Sequence, residues 1–337
     1  MTMVKSWAAL GPQQKLERFD YEAPAIGSDE VEIAVEYCGI CHSDLSMVNN
    51  EWGISQYPLV PGHEAVGRIV NMGSHVKRLK LGQMVGVGWN VESCMHCHQC
   101  MTGEHNLCST IQPTIVGHHG GFGQTVRSHW AWAVPLPDNL DPASAGPLLC
   151  AGATVFTPLL TFGVKPTDHV GIVGIGGLGH LGLKFANAWG CEVTAFTSTP
   201  AKSDEIKGFG AHHIVNSKDT EEIVKVANTL DFLLITVNTP LDWSALLKTL
   251  KPNGRMAIVG VVLEPLQISA LDLIFGQKRV TGSLNGGPAA TQTMLEFAAR
   301  HQIAPQVEHF PMSRVNEAMD HLAAGKARYR VILDADF

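Results

Sequence analysis

Basic charge is scarce: 24 Lys and Arg stand against 31 Asp and Glu in 337 residues, a formal net charge of −7. A surface of that sign lacks the electrostatic footprint that would hold nucleic acid or an anionic membrane, so neither is expected as a partner. Long apolar runs are missing too. No stretch approaches the ~20 apolar residues of a membrane span, and the opening MTMVKSWAALGPQQ is too short for the core of an export signal. The compartment expected is the cytoplasm, where thiols stay reduced. There is no internal repeat of solenoid type and no low-complexity tract. Charged residues make up 16% and hydrophobic residues 45%, which provides for a sizeable core and argues against wholesale disorder. The length points to two domains, or one large elaborated one.

Half of the eight cysteines crowd into one short stretch, CMHCHQC followed by MTGEHNLC, which holds Cys94, Cys97, Cys100 and Cys108. The first five letters match the C-x-x-C-H pattern that tethers a c-type haem, but that attachment needs export. A disulfide framework does not suit a reducing compartment. Four thiolates with two, two and seven residues between them fit one tetrahedral zinc with no position left for substrate. A nucleic-acid-binding knuckle is excluded because no Lys or Arg lies between Asn90 and Gln112 to meet phosphate. This zinc is read as a structural staple, and the chemistry lies elsewhere.

The hydrophobic pattern changes once along the chain. VEIAV (31–35), AVGRIV, QMVGVGW and WAVPLP are short strand-like runs with glycine between them, so the portion to about Pro147 reads as mostly β. Then strands and helices alternate, from DHVGIV through EVTAF, HHIVN, DFLLITV and GRMAIVGVV to RVTGSLN, a rhythm that predicts a parallel sheet covered on both faces. From about Asn285, TQTMLEFAAR, VNEAMDHLAAG and YRVILDA read as two helices and a strand returning to the first portion. The turn GIGGLG sits where a strand hands over to a helix, the context in which a glycine motif is specific. Gly174 permits the tight turn, Gly176 lets the backbone approach a pyrophosphate, and Gly179 permits close helix–strand packing. The helix start that follows offers free N–H groups to phosphate, and this segment is expected to bind a dinucleotide.

Four further residues are scattered through the β-rich portion: Cys41 in CGICHSDL, His63 and Glu64 in VPGHEAVG, and Cys150 in GPLLCAG. Singly, each is more often structural. Together, two thiolates and an imidazole leave the fourth position of a zinc open, as a catalytic site requires.

With CGICHSDL, YPLVPGHEAVG, the four-cysteine lobe, GGFGQT, PLLCAGATVF, GIGGLGHLGLKFA and MLEFAA in order, the chain resembles the zinc-dependent medium-chain alcohol dehydrogenases over essentially its whole length. Within them it is most similar to the cinnamyl-alcohol-dehydrogenase-like aldehyde reductases. The resemblance implies an α/β protein. A GroES-like β-rich catalytic domain would take residues 1–150 and 285–337, and a Rossmann domain with a doubly wound parallel sheet would take 151–284. It also implies an active site in the cleft, often a homodimer, and two zinc ions per chain. Cys41, His63 and Cys150 would hold the catalytic zinc, and Cys94, Cys97, Cys100 and Cys108 the structural one. Cys38 and Cys191 are left as buried thiols.

By the same resemblance, Asp44 accepts a hydrogen bond from the free nitrogen of His63 and fixes its tautomer; the plainer alternative is an Asp capping a turn. Glu64 lies beside the metal, either aiding exchange of its bound water or serving the structure. His42 falls where the family often places a basic residue near the pyrophosphate, with a partly buried neutral histidine as the other reading. The reaction implied is reversible hydride transfer between nicotinamide C4 and a small-molecule aldehyde or alcohol. Zinc stabilises the charge that develops on oxygen, and the hydroxyl of Ser43 supplies the proton. In many relatives a histidine ends the proton relay five residues after the first ligand cysteine, whereas this chain has Ser46. Trp52, Tyr57, Trp89 and Leu284 are candidate pocket walls by position, or core residues.

The cofactor reading turns on one more absence. About 20 residues past the glycine turn, NAD-binding units usually carry an acid that grips the ribose 2′-hydroxyl. Here AFTSTPAK offers Thr197, Ser198, Thr199 and Lys202, with no acid before Asp204. Hydroxyls and a lysine suit a 2′-phosphate, and the resembling branch prefers NADP. With Gly177 and Leu178 of the turn, these residues complete the expected NADP(H) site. A polyol dehydrogenase would favour an acid in place of Cys150, a zinc-free reductase would lack Cys41 and His63, and a non-catalytic binder would not need Ser43.

Overall fold

A computed structural model describes residues 2–337. The chain forms two compact units: one runs to Ala153 and resumes at Gly286, and the other is the intervening Thr154–Asn285. The first division falls after Ala153, inside the helix Ala151–Thr161.

The first unit is built on a seven-stranded sheet. Its central strand, Glu30–Ile40, pairs antiparallel with Ala65–Met72, Thr125–His129 and Arg330–Asp334. Val31, Ile33 and Val35 alternate inward along it and are buried with Ile69, Phe122 and Leu333 in one apolar core. Each such side chain contributes about 1.5–3 kcal/mol on burial. The WAVPLP run yields only a 3₁₀ turn, Trp130–Trp132, and the two-residue strand Val134–Pro135. Pro135 and Pro137 have no N–H to give a ladder. A hairpin pairs Thr2–Ala8 with Glu17–Ala23.

The second unit holds six parallel strands in the order His213–Asn216, Glu192–Thr197, His169–Val173, Leu230–Ile235, Leu250–Ile258, Arg279–Gly282. Val170 to Val173 and Leu230 to Ile235 are almost wholly apolar, as strands covered on both faces must be. The order reverses between His169–Val173 and Leu230–Ile235, and ligands of open α/β sheets bind beyond the carboxyl ends of strands at such a point. Gly174 follows the first of these strands directly.

Among the described residues no single helix is long and apolar enough to cross a membrane.

Candidate active site and metal centres

Cys41 sits where the central strand of the first unit gives way to the helix His42–Asn49, in extended conformation at the helix N-cap. Asp44, in the first turn, is fully buried and takes three hydrogen bonds: from the backbone N–H of Cys41 at 2.9 Å, from that of Gly62 at 2.9 Å, and from His63 Nδ1 at 3.0 Å. It caps the helix and orients the histidine at once. With Nδ1 committed to a carboxylate, Nε2 is left as the free ring nitrogen. That Nε2 is buried and has no hydrogen-bond partner.

One ligand atom from each of Cys41, His63, Glu64 and Cys150 lies within 4.8 Å of the others, and the two sulfurs are 3.9 Å apart. Thiolates bound tetrahedrally at ~2.3 Å stand about 3.8 Å apart, so the donor set fits a zinc ion. Its electrostatics ask for one as well. A hydrogen bond from Cys150 and the nearby Arg330 charge hold Cys41 well below the usual thiol range, whereas the Cys41 sulfur and burial push Cys150 well above it. A dication bound between them would favour the thiolate form of both. Burial raises the Glu64 carboxyl despite the Arg330 guanidinium, which forms a fully buried ion pair with it. Ser43 Oγ lies 3.8 Å from Cys41 Sγ.

Cys94, Cys97, Cys100 and Cys108 converge in the same way, with all four ligand atoms within 4.8 Å of one another and Cys94 Sγ 3.9 Å from Cys100 Sγ. The backbone N–H of Cys97 donates to Cys94 Sγ at 3.3 Å. The Thr110 hydroxyl helps hold Cys108 down to about 6, in the thiolate range a metal ligand needs. His98, which a haem reading would require as a ligand, is exposed. The lobe is a closed four-sulfur centre that also fits zinc.

In the second unit the glycine turn has the shape its residues imply. Gly174 has φ +90°, and a Cβ there would strike Val237. A Cβ on Gly179 would strike the carbonyl of Gly174, which fixes the close approach of the helix Gly179–Trp189 to the strand. A Cβ on Gly176 would meet nothing within 4 Å, so the backbone here is open to a ligand. Gly177 and Leu178 complete the turn, and no side chain caps the helix start. At the end of the next strand Thr197 is buried and its Oγ1 accepts from Thr199 N–H at 3.1 Å. Ser198, Thr199 and Lys202 are exposed, and the Thr199 hydroxyl does not cap the 3₁₀ turn Pro200–Lys202. The turn and the hydroxyl-bearing loop fit a phosphorylated dinucleotide.

Two family models match the chain, the alcohol dehydrogenase GroES-like domain over residues 27–138 and the zinc-binding dehydrogenase over residues 177–300. The aldehyde reductase AdhA of Synechocystis sp. is 53% identical over 331 residues, 98% of this chain and 98% of the relative. The chain belongs to the zinc-binding alcohol dehydrogenase family. Among solved structures, a cinnamyl alcohol dehydrogenase from Sorghum bicolor matches with a TM-score of 0.95 at 38% identity, covering 99% of this chain and 98% of that one. A CAD from Helicobacter pylori, complexed with NADP(H), matches with a TM-score of 0.91 at 32% identity and the same coverage.

The other sequence candidates of this dehydrogenase divide between the surroundings of the centre and places away from it. His42 is exposed, which removes the partly buried alternative. Trp89 sets its ring edge-on to His63, 4.9 Å between centroids, and Trp52 packs against Trp89 at 5.8 Å, so both belong to the surroundings of the centre. Tyr57 is otherwise engaged, its hydroxyl donating to the Val48 carbonyl at 2.8 Å. Leu284 is 57% exposed in the second unit. Cys38 and Cys191 are buried, and burial pushes the Cys191 thiol up to about 12. Ser46 donates to Glu51 Oε2 at 2.7 Å. Sequence reasoning missed Arg330. Its signal was a lone arginine in the otherwise apolar strand YRVIL.

Proposed function

We propose that this dehydrogenase reduces aromatic or medium-chain aldehydes to primary alcohols with NADPH, reversibly, and that it holds two zinc ions per chain. The observation that carries the reading is the buried meeting of two sulfurs 3.9 Å apart with the unpartnered Nε2 of His63. Cys41, His63 and Cys150 hold the catalytic ion, and Cys94, Cys97, Cys100 and Cys108 hold the structural one. When bound, zinc supplies Lewis acidity toward a carbonyl oxygen and NADPH supplies the hydride. The two thiolates nearly cancel the charge of a dication, so a neutral carbonyl is not repelled. Asp44 keeps His63 in the tautomer that presents Nε2. Ser43 relays a proton, passing one from Oγ to the product oxygen as it takes one up from water. Trp52 and Trp89 give the surroundings an apolar, aromatic character that suits an aromatic substrate. Glu64, paired with Arg330, keeps its Oε2 buried and unpartnered, and one of its carboxylate oxygens lies within 4.8 Å of the ligand atoms.

Gly174, Gly176, Gly177, Leu178 and Gly179 receive the pyrophosphate. Ser198, Thr199 and Lys202 receive the 2′-phosphate, with Thr197 shaping the loop. The relatives named an aldehyde reductase and a CAD complexed with NADP(H) favour the same substrate class and nucleotide. Six cysteines that act as ligands must stay reduced, which suits the cytoplasm. Two chains pair through the free edge of the six-stranded sheet. Strand Arg279–Gly282 lies on that edge, and Leu263, Leu271, Ile274 and Phe275 are exposed in the segment that leads to it.

The test is the nucleotide. A charged hydrogen bond is worth ~1.5–3 kcal/mol, so Lys202→Ala should weaken NADPH binding roughly 10–100-fold and leave NADH nearly unchanged, and Ser198→Asp should shift preference toward NADH. Equal kcat/KM for the two nucleotides in the unmodified protein, with benzaldehyde-type substrates, would show the reading of this loop to be wrong.

A further inference from the structure

Three titratable side chains that play no part in the dehydrogenase chemistry open three neighbouring strands of the second unit. His169 begins His169–Val173, Glu192 begins Glu192–Thr197, and His213 begins His213–Asn216. The parallel register sets His169 opposite Glu192 and His213 opposite Thr194. Because side chains two apart on a strand share a face, all four residues stand on one side of the sheet. His213 Nε2 is 2.7 Å from Glu192 Oε1, and His169 Nε2 is 2.7 Å from Thr194 Oγ1. A ring nitrogen of each histidine and a carboxylate oxygen of Glu192 lie within 4.8 Å of one another.

We propose that His169, Glu192 and His213 form a third metal site, open to solvent, that takes a late first-row divalent cation such as zinc. Two imidazoles and one carboxylate are a borderline donor set of the kind that binds zinc, nickel, cobalt and copper rather than magnesium or calcium. Three side-chain donors with water completing the shell satisfy such an ion. Donors bound at ~2.1 Å stand about 3.4 Å apart, so His213 and Glu192, 2.7 Å apart, must part by roughly 0.7 Å to admit the ion between them and His169. His213 and Glu192 are about half exposed, at 52% and 57%, and can move that far without disturbing the core. His169 is the fixed member: half-buried, with the Thr194 hydroxyl holding its ring in place as outer partners of metal-binding histidines do. The nearby Lys251 is 2.7 Å from Asp231, whose carboxylate also accepts the backbone N–H of His169, so the one ammonium group close by is already neutralised. His212 takes no part, since its Nδ1 accepts from Val193 N–H at 2.9 Å.

The site is separate from the chemistry described above. It uses no cysteine, and it opens the strand whose far end leads into Gly174, some 16 Å away at ~3.3 Å per residue. An ion bound there leaves the dinucleotide turn untouched.

The direct test is equilibrium dialysis of the zinc-loaded holoenzyme against added zinc, with elemental analysis of bound metal. The intact protein should take up one ion per chain beyond those that resist dialysis against metal-free buffer. His213→Ala and Glu192→Ala should each lose that additional ion and keep the tightly held ones. His309→Ala, which removes an exposed histidine paired with Asp334 elsewhere, should retain it. In zinc-soaked crystals of the intact protein, an anomalous difference peak should lie between the three side chains, a result independent of how the variants fold. No additional zinc, or equal additional uptake by His213→Ala, would overturn the proposal, as would soaked crystals without a peak there.

Discussion

In the proposed reaction, proton transfer depends on Ser43. It lies two positions beyond Cys41, and its hydroxyl is 3.8 Å from that sulfur. Ser43→Ala should leave metal content and nucleotide binding as they are and lower kcat by roughly 10²-fold, the usual contribution of a placed proton-transfer group. Single-turnover rates measured alongside nucleotide affinity check this, and unchanged turnover with hydride transfer rate-limiting would remove Ser43 from the mechanism. The four-cysteine lobe stands out in the sequence by its spacing, whereas Cys41, His63 and Cys150 are scattered and are singled out there only by the family resemblance; the structure brings each set within 4.8 Å. Arg330 was not legible, because its role depends on which residue it meets. It comes from the last strand and pairs with Glu64, 266 positions earlier in the chain. Glu51, the acceptor of the Ser46 hydroxyl, was missed for a similar reason: an exposed Glu in a loop carries no pattern until its partner is placed.

Among the elements, the glycine turn makes the sharpest prediction. Gly174 and Gly179 are required by the protein's own packing, whereas a methyl group at Gly176 would meet nothing in the protein. Gly176→Ala should therefore fold with an unchanged thermal midpoint yet bind NADPH about 10–100-fold more weakly, the loss of one charged hydrogen bond to phosphate. Normal nucleotide affinity in this variant, measured by nicotinamide fluorescence, would place the pyrophosphate elsewhere. The alternating elements of the second unit could be read closely from sequence, since strands buried on both faces are continuous apolar runs. The first unit was harder. In the strand Glu17–Ala23, Phe19 and Tyr21 alternate with exposed Arg18, Asp20 and Glu22, and the pairing with Thr2–Ala8 leaves one face wet. The helix His42–Asn49 is short and only weakly amphipathic, and its start is set by Asp44 and Cys41 rather than by periodicity.

At the scale of the whole molecule, the proposed pairing of two chains rests on the exposed edge of the second unit. Phe275 is 74% exposed and Ile274 65%, an arrangement a monomer rarely leaves uncovered. Phe275→Asp should shift the mass measured by light scattering from two chains to one while the metal content stays the same; an unshifted dimer would place the interface on another surface. The central claim concerns the division of labour between two zinc centres, and metal content read together with hydride transfer tests it most directly. The unmodified protein should contain two zinc ions per chain and oxidise NADPH when an aromatic aldehyde is added. Cys108→Ala should retain one ion and, in the fraction that stays folded, its turnover. Cys150→Ala should also retain one ion and bind NADPH, but hydride transfer should be lost. One zinc in the unmodified protein, or undiminished hydride transfer in Cys150→Ala, would contradict the account.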